Sequence, residues 1–224
     1  MNNREQIMPR HLERDLDNLS KELLTMGSMV EAATNKAFLA VSQRRQDVAQ
    51  EVVEGDDEIN TKENRIEEEC LKILALYQPV ATDLRFIITA LKVNNDLERM
   101  GDLAVNIAER AMRLVELDPM PLPESLSKLL SIVQGMVRDS LNSLVTMDAK
   151  LARKVCRSDD AVDDINRHMY DEMQELMKKD PAAVERAINT LSVSRHLERI
   201  ADLATNIAED VIFLVEGEIV RHNL

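Results

Sequence analysis

Apolar residues recur along two segments of the chain with the alternating four- and three-residue spacing of a buried helix face. The two apolar seams consist of Val93, Leu97, Met100, Ala104, Ile107, Ala111 and Leu114, and of Val193, Leu197, Ile200, Ala204, Ile207, Val211 and Leu214. This heptad spacing predicts two helices whose seams pack against neighbouring helices. No window alternates apolar and polar residues long enough to indicate a strand.

The two seams belong to an internal duplication. The residues L-E-R-M-G-D-L-A at 97–104 return 100 positions later as L-E-R-I-A-D-L-A at 197–204, and each block continues as x-N-I-A-E. Earlier segments match at offsets of 107, 106 and 102 residues, with Asp57 equivalent to Asp163 at the offset of 106. Each copy therefore contains three long segments in the same order. The predicted helices span about residues 8–44, 46–77, 80–117, 122–148, 150–178 and 181–217.

The composition of the chain and the positions of its prolines agree with a helical protein. Only five glycines and six prolines occur in 224 residues, and strong helix formers are abundant. Pro119, Pro121 and Pro123 separate the two copies, while Asp180-Pro181 has the order of a helix N-cap followed by a first-turn proline. We predict an all-α protein, a tandem duplication of two elongated three-helix bundles with pseudo-two-fold symmetry. The predicted repeats span residues 1–118 and 119–224.

The net charge, the hydropathy and the cysteines indicate which classes of protein are unlikely for this chain. A net charge of −13 opposes binding to nucleic acid, whose phosphates repel an acidic surface. No run of eighteen apolar residues exists, and the first residues are polar, so neither membrane insertion nor a signal peptide is expected. Cys70 and Cys156 are isolated in helical segments. We interpret them as reduced thiols of a cytoplasmic protein.

Both copies carry an E-x-x-x-D pair beside the seam. These acids are Glu98 and Asp102 in the first copy and Glu198 and Asp202 in the second. Carboxylates four residues apart on a helix repel one another, so a bound cation would stabilise them. The heptad frame places the four acids on the outer face, away from the seam. They predict two metal sites, for which Fe, Zn, Mg or Mn are the candidate ions. The alternative is an ordinary solvated face.

Further side chains are candidates for additional ligands of these two metal sites. Asn106 and Asn206 extend each acidic stripe by one turn. A second helix would have to close each site, and Glu31 in the first segment and Asp139 in the fourth are the candidates.

Two arginines lie inside the repeated blocks. Arg99 and Arg199 are expected to pair with Asp102 and Asp202, three residues further along. The alternative is that the two arginines hold a phosphate.

Sequence signatures of common enzymes are absent. The chain contains no G-x-x-x-x-G-K-[ST], G-x-G-x-x-G, H-E-x-x-H or G-x-S-x-G motif. The four histidines, His11, His168, His196 and His222, form no pair with the spacing of metal ligands. No catalytic residue is therefore predicted.

Several motifs together resemble the PhoU family of phosphate-uptake regulators. They are the paired L-E-R-[MI]-[GA]-D-L-A-x-N-I-A-E blocks, Q-P-V-A-T-D-L-R at 78–85, M-G-S-M-V-E at 26–31, and E-G-D at 54–56. The likeness covers nearly the whole chain. It implies two three-helix bundles, dimerisation to a homodimer, and in some members multinuclear metal clusters on E/D-x-x-x-D motifs. Two positions depart from the family pattern, because Ala201 replaces a glycine and Asn35 replaces an acid.

The resemblance also implies a function. It indicates a cytoplasmic regulator of phosphate homeostasis, peripheral to the inner membrane through its partners, that restrains phosphate uptake. The implied partners are a phosphate ABC transporter, through its ATPase subunit, and a sensor histidine kinase. A second hypothesis remains open from the acidic motifs, namely a metal-dependent hydrolase acting on phosphorylated compounds.

Overall fold

The computed structural model describes the backbone of residues 3–217 and the side chains of residues 10–217. The described residues form six α helices and one 3-10 turn, and no strand. The elements are α1 (Asn3–Gln43), α2 (Gln46–Tyr77), α3 (Ala81–Glu116), α4 (Glu124–Thr146), α5 (Ala149–Lys179), the turn Pro181–Ala183, and α6 (Val184–Glu216). The all-α prediction is confirmed, and α1 begins five residues earlier than predicted. Residues 1–2 and 218–224 of the predicted repeats, with His222, lie outside the described residues.

The helices pack as two bundles. The helices α1, α2 and α3 contact one another, and α4, α5 and α6 do the same, while α3 and α6 provide the main contact between the bundles. Every residue of the two predicted seams is buried. The duplicated three-helix architecture is thus confirmed, with α3 and α6 as the central helices. No described helix is long and apolar enough to cross a membrane.

Short turns connect the helices within each bundle. Arg44 adopts the left-handed conformation between α1 and α2, with φ of 54°. Its guanidinium donates to the backbone carbonyl oxygens of Val115 and Leu117, which satisfies acceptors at the end of α3. Asp148 caps α5, because its carboxylate accepts from the backbone N–H groups of Lys150 and Leu151 at 2.9 and 3.1 Å.

The second helices of the two repeats align differently from the sequence-based expectation. Val52, Ile59 and Ile66 are among the buried positions of α2, and Val155, Val162 and Met169 are among those of α5. Each pair differs by 103 residues, so the predicted offset of 106 is wrong. Three residues are nearly one helical turn, which brings residues of similar polarity into apparent register. The corrected register makes Asp56 equivalent to Asp159 and Asn60 equivalent to Asp163.

Candidate functional site

The acids of the E-x-x-x-D motifs lie beside the seam but do not form a freely solvated face. Glu98 and Glu198 are half-buried, whereas Asp102 and Asp202 are exposed. The expectation that the acids point away from the core needs correction, because α2 packs against α3 and α5 packs against α6 on this side. Each motif therefore faces acidic side chains of a neighbouring helix.

The first cluster combines acids of α3 and α2. Burial raises the pKa of Glu98, and the charges of Asp102, Glu63 and Asp56 raise it further. The pKa of Asp56 is also raised, by burial and by the charge of Asp102, although Asn60 opposes this by donating to its carboxylate at 3.0 Å. The cluster thus holds carboxylates that destabilise one another electrostatically.

The second cluster has the same construction on α6 and α5. Burial raises the pKa of Asp159 to about 6, with further contributions from Asp202 and Asp163. Although the Asp202 side chain is exposed at its edge, the protein atoms around its carboxylate exclude part of the water and raise its pKa, as do the charges of Glu198 and Asp163. The hydroxyl of Thr205 donates to Asp159 at 3.5 Å. Both bundles therefore place partly buried, mutually repelling carboxylates at equivalent sites.

Clustered carboxylates are the ligands that hard divalent cations and iron prefer, so the donor chemistry of both clusters fits a metal. A cation would offset the burial and the mutual repulsion that raise the pKa values of Glu98, Asp56, Asp159 and Asp202. Within the described residues, no three His, Cys, Asp or Glu side chains converge as they would around one ion. Binding would thus require rotation of these carboxylates about their side-chain bonds.

The other two acids that were predicted as metal ligands form ion pairs with basic side chains. Glu31 pairs with Arg138 between α1 and α4, and Asp139 pairs with Lys154 at 2.9 Å between α4 and α5. The helices that close the clusters are therefore α2 and α5, and not α1 and α4 as expected. The D-x-x-x-D spacing of Asp159 and Asp163 was the available signal, but the three-residue error in register concealed it.

The repeated arginines and asparagines line a groove between the bundles. The groove encloses about 350 Å³ and is lined by Arg99, Asp102, Leu103, Asn106, Arg199, Asp202, Leu203 and Asn206. Equivalent residues of both repeats thus meet across the α3–α6 contact. Asn106 donates to the backbone oxygen of Asp102 at 2.9 Å, so its amide stays close to its own helix.

The predicted partners of the two arginines are wrong. Arg99 approaches Asp96 at 3.8 Å instead of Asp102. Arg199 has no acidic partner within 4.0 Å among the described residues, although its charge opposes the rise in the pKa of Asp202. The guanidinium group of Arg199 therefore remains available to the groove.

Comparisons with known proteins agree in sequence and in fold. A family model described as the PhoU domain matches residues 23–111 and 126–211. A phosphate-specific transport system accessory protein PhoU homolog of Aquifex aeolicus is 42% identical over 211 residues, which cover 94% of this chain and 96% of that relative. A homolog of the same description from Pseudomonas aeruginosa is 42% identical over 209 residues, covering 93% and 86% of the two chains.

Solved structures show the same architecture. The crystal structure of PhoU from Pseudomonas aeruginosa superposes with a TM-score of 0.87 at 41% identity, covering 92% of this chain and 99% of that one. The crystal structure of the phosphate transport system regulatory protein PhoU from Streptococcus pneumoniae gives a TM-score of 0.87 at 30% identity, covering 93% and 99%.

Proposed function

The chain belongs to the PhoU family, whose role lies in phosphate transport, and from this membership we propose that it is a non-enzymatic negative regulator of phosphate uptake. In this proposal the protein is a cytoplasmic adaptor that reaches the inner membrane through its partners. It contacts the ATPase subunit of a phosphate ABC transporter and a sensor histidine kinase. An adaptor of this kind acts by binding one signalling state of its partners more tightly than the other.

A pair of equivalent apolar surfaces supports the adaptor role. Leu84 and Ile88 on α3 are 39% and 42% exposed, and their equivalents Val184 and Ile188 on α6 are 37% and 52% exposed. Exposed apolar side chains that recur at equivalent positions in both repeats are typical of surfaces that bind other proteins. They are the observation on which the proposal of direct partner contact rests.

The acidic clusters enter the proposal as regulatory metal sites. Carboxylates that repel one another in the metal-free protein would be held in place by Fe, Zn, Mg or Mn, which fixes α3 against α2 and α6 against α5. The homodimer implied by the family resemblance also belongs to the proposal. The relatives are described as accessory or regulatory proteins, so their names give no support to the alternative of a hydrolase.

The adaptor role can be tested in the host. Deletion of the gene should leave phosphate-starvation genes expressed in phosphate-rich medium, and the wild-type gene should restore repression. The variant Ile88→Asp, Ile188→Asp should fold but lose repression and co-purification with the transporter ATPase or the kinase. As a matched control, Thr82→Asp introduces a charge at a position that is already exposed and polar on α3, and it should leave both properties intact.

Normal repression in the deletion strain, with no second copy of the gene present, would reject the regulatory role. Rapid hydrolysis of a phosphate monoester by metal-loaded protein, abolished in the Glu98→Ala, Asp102→Ala variant, would instead establish the hydrolase.

A further inference from the structure

The pseudo-two-fold axis relates the two ends of the groove between α3 and α6, which differ in charge. At one end Lys92 of α3 forms an ion pair with Asp210 of α6, with 2.9 Å between Nζ and Oδ1. Asp96 lies one turn further along α3 and approaches Arg99. The cations at this end therefore have acidic partners. A cavity of about 520 Å³ adjoins these residues.

The equivalent positions at the other end carry different residues. The offset of 100 residues replaces Asp210 with Arg110, Asp96 with His196, and Asn95 with Arg195. Each of these three changes makes this end more positive, whereas Ser192 in place of Lys92 removes one positive charge. We call Arg110, Arg195, His196 and Arg199 the basic end of the groove.

The cations of the basic end lack acidic partners. Within the described residues, Arg110, Arg195 and Arg199 are among twelve lysines and arginines that have no carboxylate within 4.0 Å, whereas fourteen others have one. The basic end thus gathers three of these twelve cations at one place, in a chain whose net charge is −13. Clustered charges of one sign produce a local field that attracts an oppositely charged ligand.

Two buried nitrogen atoms at the basic end also lack hydrogen-bond partners among the residues that the structure describes. They are Nε of Arg110 and Nδ1 of His196. Burial lowers the pKa of His196, and the charges of Arg110, Arg199 and Arg195 lower it further. Buried polar atoms in folded proteins are nearly always hydrogen-bonded, so these two nitrogen atoms leave hydrogen-bonding capacity for a ligand at this end.

We propose that the basic end of the groove binds a tetrahedral phosphate dianion, held by Arg110, Arg195 and Arg199 with His196 beside it. Guanidinium groups donate paired hydrogen bonds to phosphate oxygens, and a group of three neutralises a dianion. The dianion is either inorganic phosphate or the phosphoryl group of a small monoester. Asp202 lines the groove together with Arg199, and Glu109 is the equivalent of Glu209, which lines the cavity at the opposite end, so these two acids belong to the surroundings of the site. The inference goes beyond the adaptor role, because the site needs neither the transporter nor the kinase.

The test is calorimetric titration of the purified full-length protein, treated with chelator so that bound metal cannot capture the anion. Inorganic phosphate and phosphoserine are titrated separately in buffered sodium chloride. Saturable binding of either one supports the site and identifies the source of the phosphate group. Arg110→Gln should weaken the binding by about tenfold or more, as expected for one charge-assisted contact. Absence of saturable binding of both ligands to the folded wild-type protein would overturn the proposal.

A control variant separates a specific site from general attraction. Lys92→Gln removes one positive charge from the opposite end of the same groove, and it should leave the affinity for phosphate unchanged. Arg110→Lys keeps the charge but loses the paired donors, so it should bind phosphate more weakly than the wild type and more tightly than Arg110→Gln. Circular dichroism confirms that each variant is folded. Equal weakening by Lys92→Gln and Arg110→Gln would refute the assignment to the basic end.

Discussion

Gly101 of α3 packs directly against Ile59 of α2. A Cβ atom on Gly101 would lie 3.2 Å from both Cδ1 and Cγ2 of Ile59, which is tighter than ordinary van der Waals contact. The equivalent positions in the second bundle are occupied by Ala201 and Val162, both fully buried. One methyl group has thus moved from the side chain of the second helix to that of the third. The departure of Ala201 from the family glycine is accounted for by this exchange of volume.

The exchange predicts coupling between the two positions. Gly101→Ala alone should give little stabilisation, because the gain of about 1 kcal/mol in helix propensity is offset by the contact with Ile59. In an Ile59→Val background the same substitution should stabilise the protein by about 1 kcal/mol, since the contact is relieved. The free energies of unfolding come from chemical denaturation of the four proteins in a double-mutant cycle.

Gly55 on α2 provides the control for helix propensity. No atom lies within 4 Å of a Cβ placed there, so Gly55→Ala should stabilise by about 1 kcal/mol whatever residue stands at 59. If Gly101→Ala stabilised the wild type as much as Gly55→Ala does, the tight contact with Ile59 would have no energetic significance.

The apolar seam, and not the acidic clusters, should provide stability. Ile107 and Ile207 are fully buried, so Ile107→Ala or Ile207→Ala should cost about 2–5 kcal/mol of unfolding free energy. Asp102→Asn should cost far less, or stabilise the metal-free protein, because it removes repulsion within the first cluster. Denaturation by urea in the presence of chelator measures both effects. The opposite order of stabilities would contradict the role of the seam.

The helices and the seams were predictable because they depend on local patterns. A 4-3 repeat of apolar residues specifies which face of α3 and α6 is buried, whatever they pack against. The duplication then required both halves to fold alike. Prolines at 119, 121 and 123 marked the break between the copies, since proline cannot continue a helix.

The candidate site was less predictable because it depends on contacts between helices. The acids of α3 and α6 were identified from their recurrence, but their neighbours are set by which helix packs on that side. Asp56 and Asp159 were missed because a shift of three residues along an acidic helix leaves its polarity pattern almost unchanged. The ion pairs of Glu31 and Asp139 depend on Arg138 and Lys154, whose positions the sequence pattern does not give.

The raised pKa of Asp159 in the second cluster predicts an unusual pH dependence of stability. An unfolded aspartate has a pKa of about 3.9, whereas the pKa of Asp159 in the folded protein is about 6. The metal-free folded state therefore binds a proton more tightly than the unfolded state. The contribution of Asp159 to stability should fall as pH rises from about 4 to about 6, and it stays low above that range.

Asp159→Asn should remove this dependence. At pH 7 the substitution should raise the unfolding free energy of metal-free protein by on the order of 1 kcal/mol, after allowance for partial exposure to solvent, and the gain should shrink as pH falls towards 4. Asp160→Asn, at the exposed neighbouring position, should show no such trend in denaturation curves collected from pH 4 to pH 8. A gain that grew towards low pH would mean that the pKa of Asp159 is lowered and not raised.

Metal binding should depend on acids of the second helix in each bundle. We expect wild-type protein, reconstituted with Fe, Mn, Mg or Zn, to show saturable binding, and Asp56→Asn to weaken the first site while leaving the second unchanged. Asp159→Asn should do the reverse, because the two clusters lie in different bundles.

Glu31→Gln and Asp139→Asn are matched controls, because each also removes one carboxylate. Both should retain full metal content by elemental analysis, since those acids form ion pairs with Arg138 and Lys154. If the two control variants lost metal while Asp56→Asn kept its full metal content, the ligands would lie on α1 and α4. If the wild type showed no saturable binding, both clusters would be solvated acidic surfaces.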